Sequence, residues 1–316
     1  MAFHRLTPAM RELLQRIRRA NRTPMHELAP AEARRLYDVS AEILDLPRAP
    51  LPRVETFALP VADGVERRAR LYAGRSEGEG APLPVLLYLH GGGFTVGSLE
   101  THDSLCRQIA LRSGVAVVAL DYRLAPEHRF PTAVDDAWAA LQWLAEHADV
   151  LGLDGTRLAV GGDSAGGTLA AVCALLARDA RLPLALQVLI TPGTTAHADT
   201  ASHAVYAEGF LLEKAGIDWF FDQYIDRAAR TDWRFAPLLA PDHEGVAPAW
   251  IGLAECDPLI DEGVAYGDVL RLAGVAVDLE IYAGVTHDFI KMGRALPEAA
   301  RAMDALAQAL RAALQP

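Results

Sequence analysis

Apolar and polar positions divide most of the chain into short strands that alternate with helices. Eight runs have the length and spacing of strands: 53–59, 67–73, 85–89, 115–120, 157–160, 184–190, 249–253 and 277–282. Helical spacing of apolar residues is found in five segments: 104–112, 133–146, 168–177, 264–272 and 298–314. Near-continuous apolar strands between helices indicate a mostly parallel sheet that is covered on both faces, so the fold class is α/β. The first two strands flank a short turn at 62–64 and should form a hairpin.

Two regions break this alternation and define the expected domain organisation. Residues 1–50 are helical without a strand, and residues 194–235 form an insertion rich in large apolar side chains. We therefore predict an N-terminal helical cap segment at 1–50, the first part of an α/β core at 51–193, a cap insertion at 194–235 and the rest of the core at 236–316. Met10, Leu13, Leu14 and Ile17 share one helical face, which favours a docked amphipathic helix over a targeting segment.

Composition and charge exclude several partners. The formal net charge of the 316 residues is −11, with lysines at 214 and 291 alone, so a nucleic acid partner is excluded and anionic substrates are disfavoured. Three widely spaced cysteines indicate reduced thiols and a cytoplasmic location. No apolar run is as long as a bilayer span, so no membrane insertion is expected. We expect either a monomer or a homodimer.

A glycine-flanked serine is the candidate nucleophile. Residues 157–169 have the pattern of a strand, an abrupt turn and a helix, and the turn carries Gly162-Asp163-Ser164-Ala165-Gly166, which matches GxSxG. In such a nucleophile elbow the serine adopts a strained backbone so that its hydroxyl is exposed above the sheet. A phosphate-binding loop is the alternative, but no lysine lies nearby and Asp163 would repel an anion.

A serine hydroxyl needs a base, and the base needs a group that orients it. His287 lies in the loop after the last predicted strand, and Asp257 lies beyond the preceding one, the order acid then histidine that follows such an elbow. Glu255 and Asp261 are the competing acids. The other histidines, at 102, 128, 147, 197, 203 and 243, are interpreted as solvated surface groups. The rate should fall below about pH 6.5 as His287 takes up a proton.

A second glycine cluster explains how an oxyanion could be stabilised. Three glycines, Gly91 to Gly93, follow His90 at the end of the strand 85–89. Attack on an ester carbonyl creates an oxyanion that backbone N–H groups must approach to about 3 Å, and side chains would obstruct that approach. We assign the donors to Gly91, Gly92 and Ala165, the residue after the nucleophile.

Four motifs together resemble the hormone-sensitive-lipase-like family of bacterial carboxylesterases. They are the segments His90-Gly91-Gly92-Gly93-Phe94, Asp121 to Glu127, Gly162 to Gly167 and Asp257-Pro258-Leu259. The resemblance implies an α/β-hydrolase core, a helical cap, no cofactor or metal, and a serine carboxylesterase that hydrolyses short- to medium-chain acyl esters through an acyl-enzyme. It also implies that His90 is structural and holds the glycine loop.

Two positions depart from the pattern of that family. Asp288 follows His287 where the family usually has glycine, and Thr191-Pro192 stands where an aromatic residue and proline are common. We expect Asp288 to affect the base or the pocket. The other candidate pocket residues are Phe94, Phe210, Leu211 and Trp219, although packing of the cap on the core explains most aromatics of the insertion equally well.

Three rival functions are weaker. A non-catalytic small-molecule receptor would be expected to lack the serine or the histidine, and both are present. A peptidase or amidase uses the same triad, but no repeats or peptide-selecting domain accompany it. A membrane-acting lipase lacks an evident interfacial patch.

Overall fold

The computed structural model describes residues 2–315 and contains one eight-stranded sheet. The strand order is β1-β2-β4-β3-β5-β6-β7-β8. The β1-β2 and β2-β4 pairs are antiparallel, and the other neighbouring pairs are parallel. The strands are β1 Arg53–Pro60, β2 Glu66–Ala73, β3 Leu83–Leu89, β4 Ala116–Leu120, β5 Leu153–Asp163, β6 Leu186–Ile190, β7 Ala249–Ala254 and β8 Val277–Tyr282. The α/β class and the initial hairpin are therefore confirmed.

Helices cover both faces of the sheet. They are α1 Pro8–Arg19, α2 Pro30–Ser40, α3 Asp103–Ser113, α4 Thr132–His147, α5 Ala165–Ala180, α6 Ala201–Val205, α7 Lys214–Tyr224, α8 Ile260–Leu272 and α9 Pro297–Leu314. Strand β3 shows the layering, because Leu87 and Leu89 enter one apolar core with α4 and α5 while Leu86 and Tyr88 enter the other with α3 and α9. Burial on both faces accounts for the near-continuous apolar strands.

The N-terminal helix docks on the body of the protein as its apolar spacing predicts. Met10, Leu13 and Leu14 are buried, whereas Ile17 at the end of the same face is 38% exposed. Thr7 caps α1, since its hydroxyl accepts a hydrogen bond of 3.1 Å from the Met10 amide. The Thr7 amide donates to the Gly284 carbonyl at 2.9 Å and so joins this segment to the loop after β8.

The insertion between β6 and β7 packs through aromatic contacts on the loop after β3. Tyr224 at the end of α7 is fully buried and stacks on Phe94, with 4.0 Å between ring centroids. Phe235 and Phe130 complete this cluster.

Helices α1 and α2 precede β1, and α6 and α7 lie between β6 and β7. The domain boundaries at 51, 194 and 236 stay predictions. No helix within residues 2–315 is both long and apolar enough to cross a bilayer.

Candidate active site

The GxSxG segment forms a sharp strand-to-helix turn. Strand β5 ends at Asp163, α5 begins at Ala165, and Ser164 between them has φ of +52° and ψ of −120°. A positive φ strains a residue that carries a side chain, and here it presents the hydroxyl above the sheet edge. A Cβ atom at either Gly162 or Gly166 would collide with the Leu89 carbonyl oxygen. The glycines are therefore required because the start of α5 passes directly against the end of β3.

The structure brings the three predicted triad residues into one hydrogen-bonded chain. His287 Nε2 lies 2.9 Å from Ser164 Oγ, and His287 Nδ1 lies 2.7 Å from Asp257 Oδ2. We assign the Nδ1 proton to the bond with the carboxylate, which leaves Nε2 free to accept the serine proton. Asp257 is 1% exposed, and its other oxygen accepts a hydrogen bond from the Leu259 amide at 2.9 Å.

The two competing acids occupy other positions. Glu255 accepts a hydrogen bond from the Gly284 amide at 2.8 Å, and Asp261 accepts one from the Ser202 amide at 2.8 Å. Across residues 2–315, neither carboxylate forms a hydrogen bond or ion pair with His287. Their contacts are those of residues that hold the loops around Asp257.

The glycine loop after β3 lies beside the serine. Gly92 and Gly93 have φ of +117° and +56°, and the Gly92 carbonyl accepts hydrogen bonds from the amides of Thr95 and Val96. No acceptor within the described chain takes a hydrogen bond from the Gly91 or Gly92 amide. A Cβ atom at Gly91 would collide with the Asp163 carboxylate, so the loop packs against the residue that precedes the serine.

His90 and Tyr122 hold the start of that loop in place. The two rings stack with 4.3 Å between centroids, and the Tyr122 hydroxyl donates to the His90 carbonyl at 2.7 Å. His90 Nδ1 lies 2.8 Å from the Gly91 carbonyl oxygen. Burial lowers the pKa of His90 to about 4, with the nearby His102 adding to the effect, so this ring is neutral at pH 7. These contacts are those expected of a structural residue.

The interpretation of His102, His203 and His243 as surface groups is wrong. They are 1%, 1% and 7% exposed, because helices α3 and α6 and the loop before β7 pack them inward. His102 Nε2 lies 3.1 Å from Asp163 Oδ2, and the Tyr88 hydroxyl donates to Asp163 Oδ1 at 2.6 Å. A histidine beside a helix start carries no sequence signal for such burial, and no motif pointed to it.

Sequence reasoning also missed a buried cation behind the site. Lys291 is 4% exposed, and its Nζ lies 3.2 Å from the Tyr37 hydroxyl of α2 and 3.5 Å from His102 Nε2. Burial lowers the pKa of Lys291, but Tyr37, Asp288 and Asp163 raise it further, so the net pKa is above its ordinary value and the ammonium stays charged. Burial would raise the pKa of Asp163, but His102 and Lys291 hold it below its usual range. The one available signal was that this chain has two lysines and one of them follows His287 closely.

The candidate pocket residues have different environments. Phe94 stacks on Tyr224, and Phe210 is 1% exposed between Phe3 and Tyr206, so both contacts favour packing. Leu211 is 40% exposed and Trp219 is half-buried beside Phe220. Roles in the pocket stay predictions for these four residues. Phe220, which we did not predict, lies directly over Gly93, where a Cβ atom would collide with its ring.

Asp288 is the predicted pocket residue that lies at the triad. Its Oδ1 is 3.8 Å from His287 Nε2, and its φ of +61° is a left-handed conformation that glycine or aspartate tolerates. The left-handed backbone suits either residue, and the departure from glycine adds a carboxylate beside His287.

Charges around His287 raise its pKa. Burial opposes the protonated form and lowers the pKa, but the charge and hydrogen bond of Asp257 raise it, and Asp288 and Asp163 add to that effect. The resulting pKa of His287 is about 9. With this pKa, the loss of rate is expected at a higher pH than the pH of about 6.5 predicted from the sequence, because the imidazole takes up a proton at a higher pH.

An elbow serine, a histidine and a buried aspartate on a mostly parallel sheet define the α/β-hydrolase class of protein. Comparison with known proteins agrees with this class. A family model described as alpha/beta hydrolase fold matches residues 86–291. An ethyl acetate hydrolase from Pseudomonas putida is 44% identical over 290 residues, which cover 91% of each chain. Carboxylic ester hydrolase LipN from Mycobacterium tuberculosis is 47% identical over 270 residues, which cover 83% of this chain and 70% of that protein.

A solved structure resembles the whole chain. The crystal structure of LAE6, an alpha/beta hydrolase enzyme from the metagenome of Lake Arreo, superposes with a TM-score of 0.93 and 40% identity, covering 98% of both chains. The chain belongs to the hormone-sensitive-lipase-like family of the alpha/beta hydrolases, and it is a serine carboxylesterase. The resemblance drawn from the four sequence motifs is confirmed.

The raised pKa of His287 predicts that the acid limb of the pH profile of kcat/KM extends to alkaline pH. With the neutral imidazole of His287 as the predicted base, kcat/KM should increase with pH up to about 9. Asp288→Asn removes one charge that favours the protonated form, so it should shift this limb to lower pH. The measurement is kcat/KM for a neutral ester from pH 5 to 10. Glu255→Gln is the control and should leave the limb in place, and an identical limb in wild type and Asp288→Asn would contradict the role of Asp288.

Proposed function

We propose that Ser164, His287 and Asp257 carry out ester hydrolysis through an acyl-enzyme. The observation that carries this proposal is the continuous chain of 2.9 and 2.7 Å contacts from Ser164 Oγ through His287 to Asp257. His287 Nε2 takes the serine proton as Oγ attacks the ester carbonyl carbon, and it then gives that proton to the departing alcohol. Water attacks the acyl-enzyme by the same route and releases the acid and the free serine.

Backbone amides stabilise the oxyanion in this proposal. Gly91 and Gly92 supply two donors from the loop after β3, and Ala165 supplies one from the first turn of α5. The close packing of Gly91 against Asp163 fixes that loop relative to the serine. Losing one such donor typically costs about 3 to 4 kcal/mol of transition-state stabilisation.

We propose short- to medium-chain acyl esters as substrates. Phe220 lies over Gly93, and Trp219 contacts Phe220, so α7 places aromatic side chains above the glycine loop and limits the room for an acyl chain. The name of the Pseudomonas putida relative, ethyl acetate hydrolase, supports a small acyl group for that protein and is consistent with this proposal.

We propose a homodimer that pairs through β8, the edge strand of the sheet, near which Ile281 and Leu272 are 46% and 88% exposed. Sedimentation velocity should give twice the mass of one chain, and Ile281→Lys should give the monomer.

We propose a cytoplasmic location because the three cysteines are free and buried, which fits a reducing compartment. Fractionation of source cells with compartment markers tests it.

Triad variants test the mechanism. Ser164→Ala and His287→Ala should each lower kcat for p-nitrophenyl butyrate by about a thousandfold or more, since the serine needs the base. Asp257→Asn should retain more activity than either, because part of the rate survives removal of the orienting acid. Circular dichroism establishes that each variant is folded. Near-wild-type turnover by folded Ser164→Ala would refute the assignment. If Glu255→Gln or Asp261→Asn lost activity in place of Asp257→Asn, the acid would be Glu255 or Asp261.

An ester panel tests the substrate class. With p-nitrophenyl esters from acetate to palmitate, kcat/KM should peak at about four to eight acyl carbons, because the wall formed by α7 stops longer chains. A matched p-nitroanilide should be hydrolysed far more slowly, which separates an esterase from an amidase. A maximum at palmitate, or equal rates for the amide, would contradict the proposal.

A further inference from the structure

The carboxylate of Asp288 is a partly exposed negative charge beside His287. Its Oδ1 lies 3.8 Å from His287 Nε2, and its side chain is 27% exposed. Within residues 2–315 no group donates a hydrogen bond to this carboxylate, and its ion pairs within 4 Å are limited to His287. The mechanism proposed above gives Asp288 no step, so its charge is available to a bound molecule.

The position of Asp288 relative to Nε2 determines which part of an ester it can contact. The departing alcohol oxygen must receive its proton from His287 Nε2, so that oxygen lies within about 3 Å of this atom. It is therefore no more than about 7 Å from the Asp288 carboxylate oxygen, since that oxygen is itself 3.8 Å from Nε2. In the mechanism proposed above, the carbonyl oxygen faces the amides of Gly91 and Gly92 and the acyl chain faces α7, which leaves the side of His287 and Asp288 to the alcohol. Asp288 consequently lies on the side of the alcohol.

The surrounding charges leave that side of the site negative. Asp257 and Asp163 are both buried near His287. The one buried ammonium close by, Lys291, interacts with Asp163, Asp288 and Tyr37 together, so it does not neutralise the carboxylates one for one. The chain as a whole carries a formal charge of −11. A partly desolvated charge pair separated by about 5 Å contributes on the order of tenfold to an equilibrium even at a high effective dielectric constant.

We propose that Asp288 makes this enzyme select esters whose alcohol part carries a positive charge, such as a quaternary ammonium or a protonated amine two or three bonds from the ester oxygen. The proposal rests on the triad mechanism proposed above. The carboxylate attracts the cationic group and thereby places the ester oxygen beside His287 Nε2. Neutral esters of the same shape bind without this interaction, and esters of anionic alcohols are repelled.

A pair of isosteric esters tests the proposal. Acetylcholine and 3,3-dimethylbutyl acetate have the same shape and differ by a quaternary nitrogen in place of a quaternary carbon. We expect the ratio of their kcat/KM values to fall by about tenfold in Asp288→Asn, and added salt to reduce the ratio in the wild type. Both esters are compared at one pH, so any change in the pKa of His287 cancels in the ratio. Asp288→Gly, which also suits the left-handed backbone, should give the same loss.

Two controls separate this proposal from the mechanism on which it rests. Betaine ethyl ester and ethyl 3,3-dimethylbutanoate place the same difference on the acyl side, and the ratio of their kcat/KM values should change much less in Asp288→Asn. Glu255→Gln should leave both ratios unchanged. An unchanged choline ratio in both Asp288 variants would overturn the selectivity while the triad stands, whereas hydrolysis of either acetate by Ser164→Ala would overturn the triad itself.

Discussion

The close approach of the first turn of α5 to the end of β3 is the constraint on which the site depends. Side chains at 162 or 166 would strike the Leu89 carbonyl, so the two backbones can cross there because both positions are glycine. The crossing forces Ser164 into its positive φ, and the Ser164 amide is held by the Ile190 carbonyl at 2.8 Å. One packing contact therefore places Ser164 beside the glycine loop that extends from β3.

Electrostatics at the site follow from the burial of several charges around one imidazole. Asp163 lies between the serine and Gly91, so its negative charge would oppose an oxyanion if it were uncompensated. Tyr88, His102 and Lys291 compensate it by hydrogen bonds and charge. Lys291 also contacts Tyr37, so this group of buried charges extends from the elbow to helix α2. The same carboxylates that favour a protonated His287 make the site unattractive to anions.

The sequence predicted those parts of the structure that follow from local rules. Strand and helix positions, the initial hairpin and the elbow arise from periodicity and glycine spacing, and the order of Ser164, Asp257 and His287 follows from the connection of parallel strands. The buried pairs could not be predicted in this way. His102 and Lys291 lie more than 180 residues apart in sequence and meet through tertiary packing. The packing role of Phe210 also depends on Phe3, which a different segment supplies.

The N-terminal segment is attached to the loop that carries His287, so the position of this histidine depends on helix α1. The Thr7 amide binds the Gly284 carbonyl, and the Thr286 hydroxyl contacts Met10 Sδ at 3.6 Å. Local opening of one element costs less free energy than unfolding of the whole domain. Detachment of α1 on heating would therefore release this loop while the sheet is intact, so loss of turnover should precede the cooperative melting of the core.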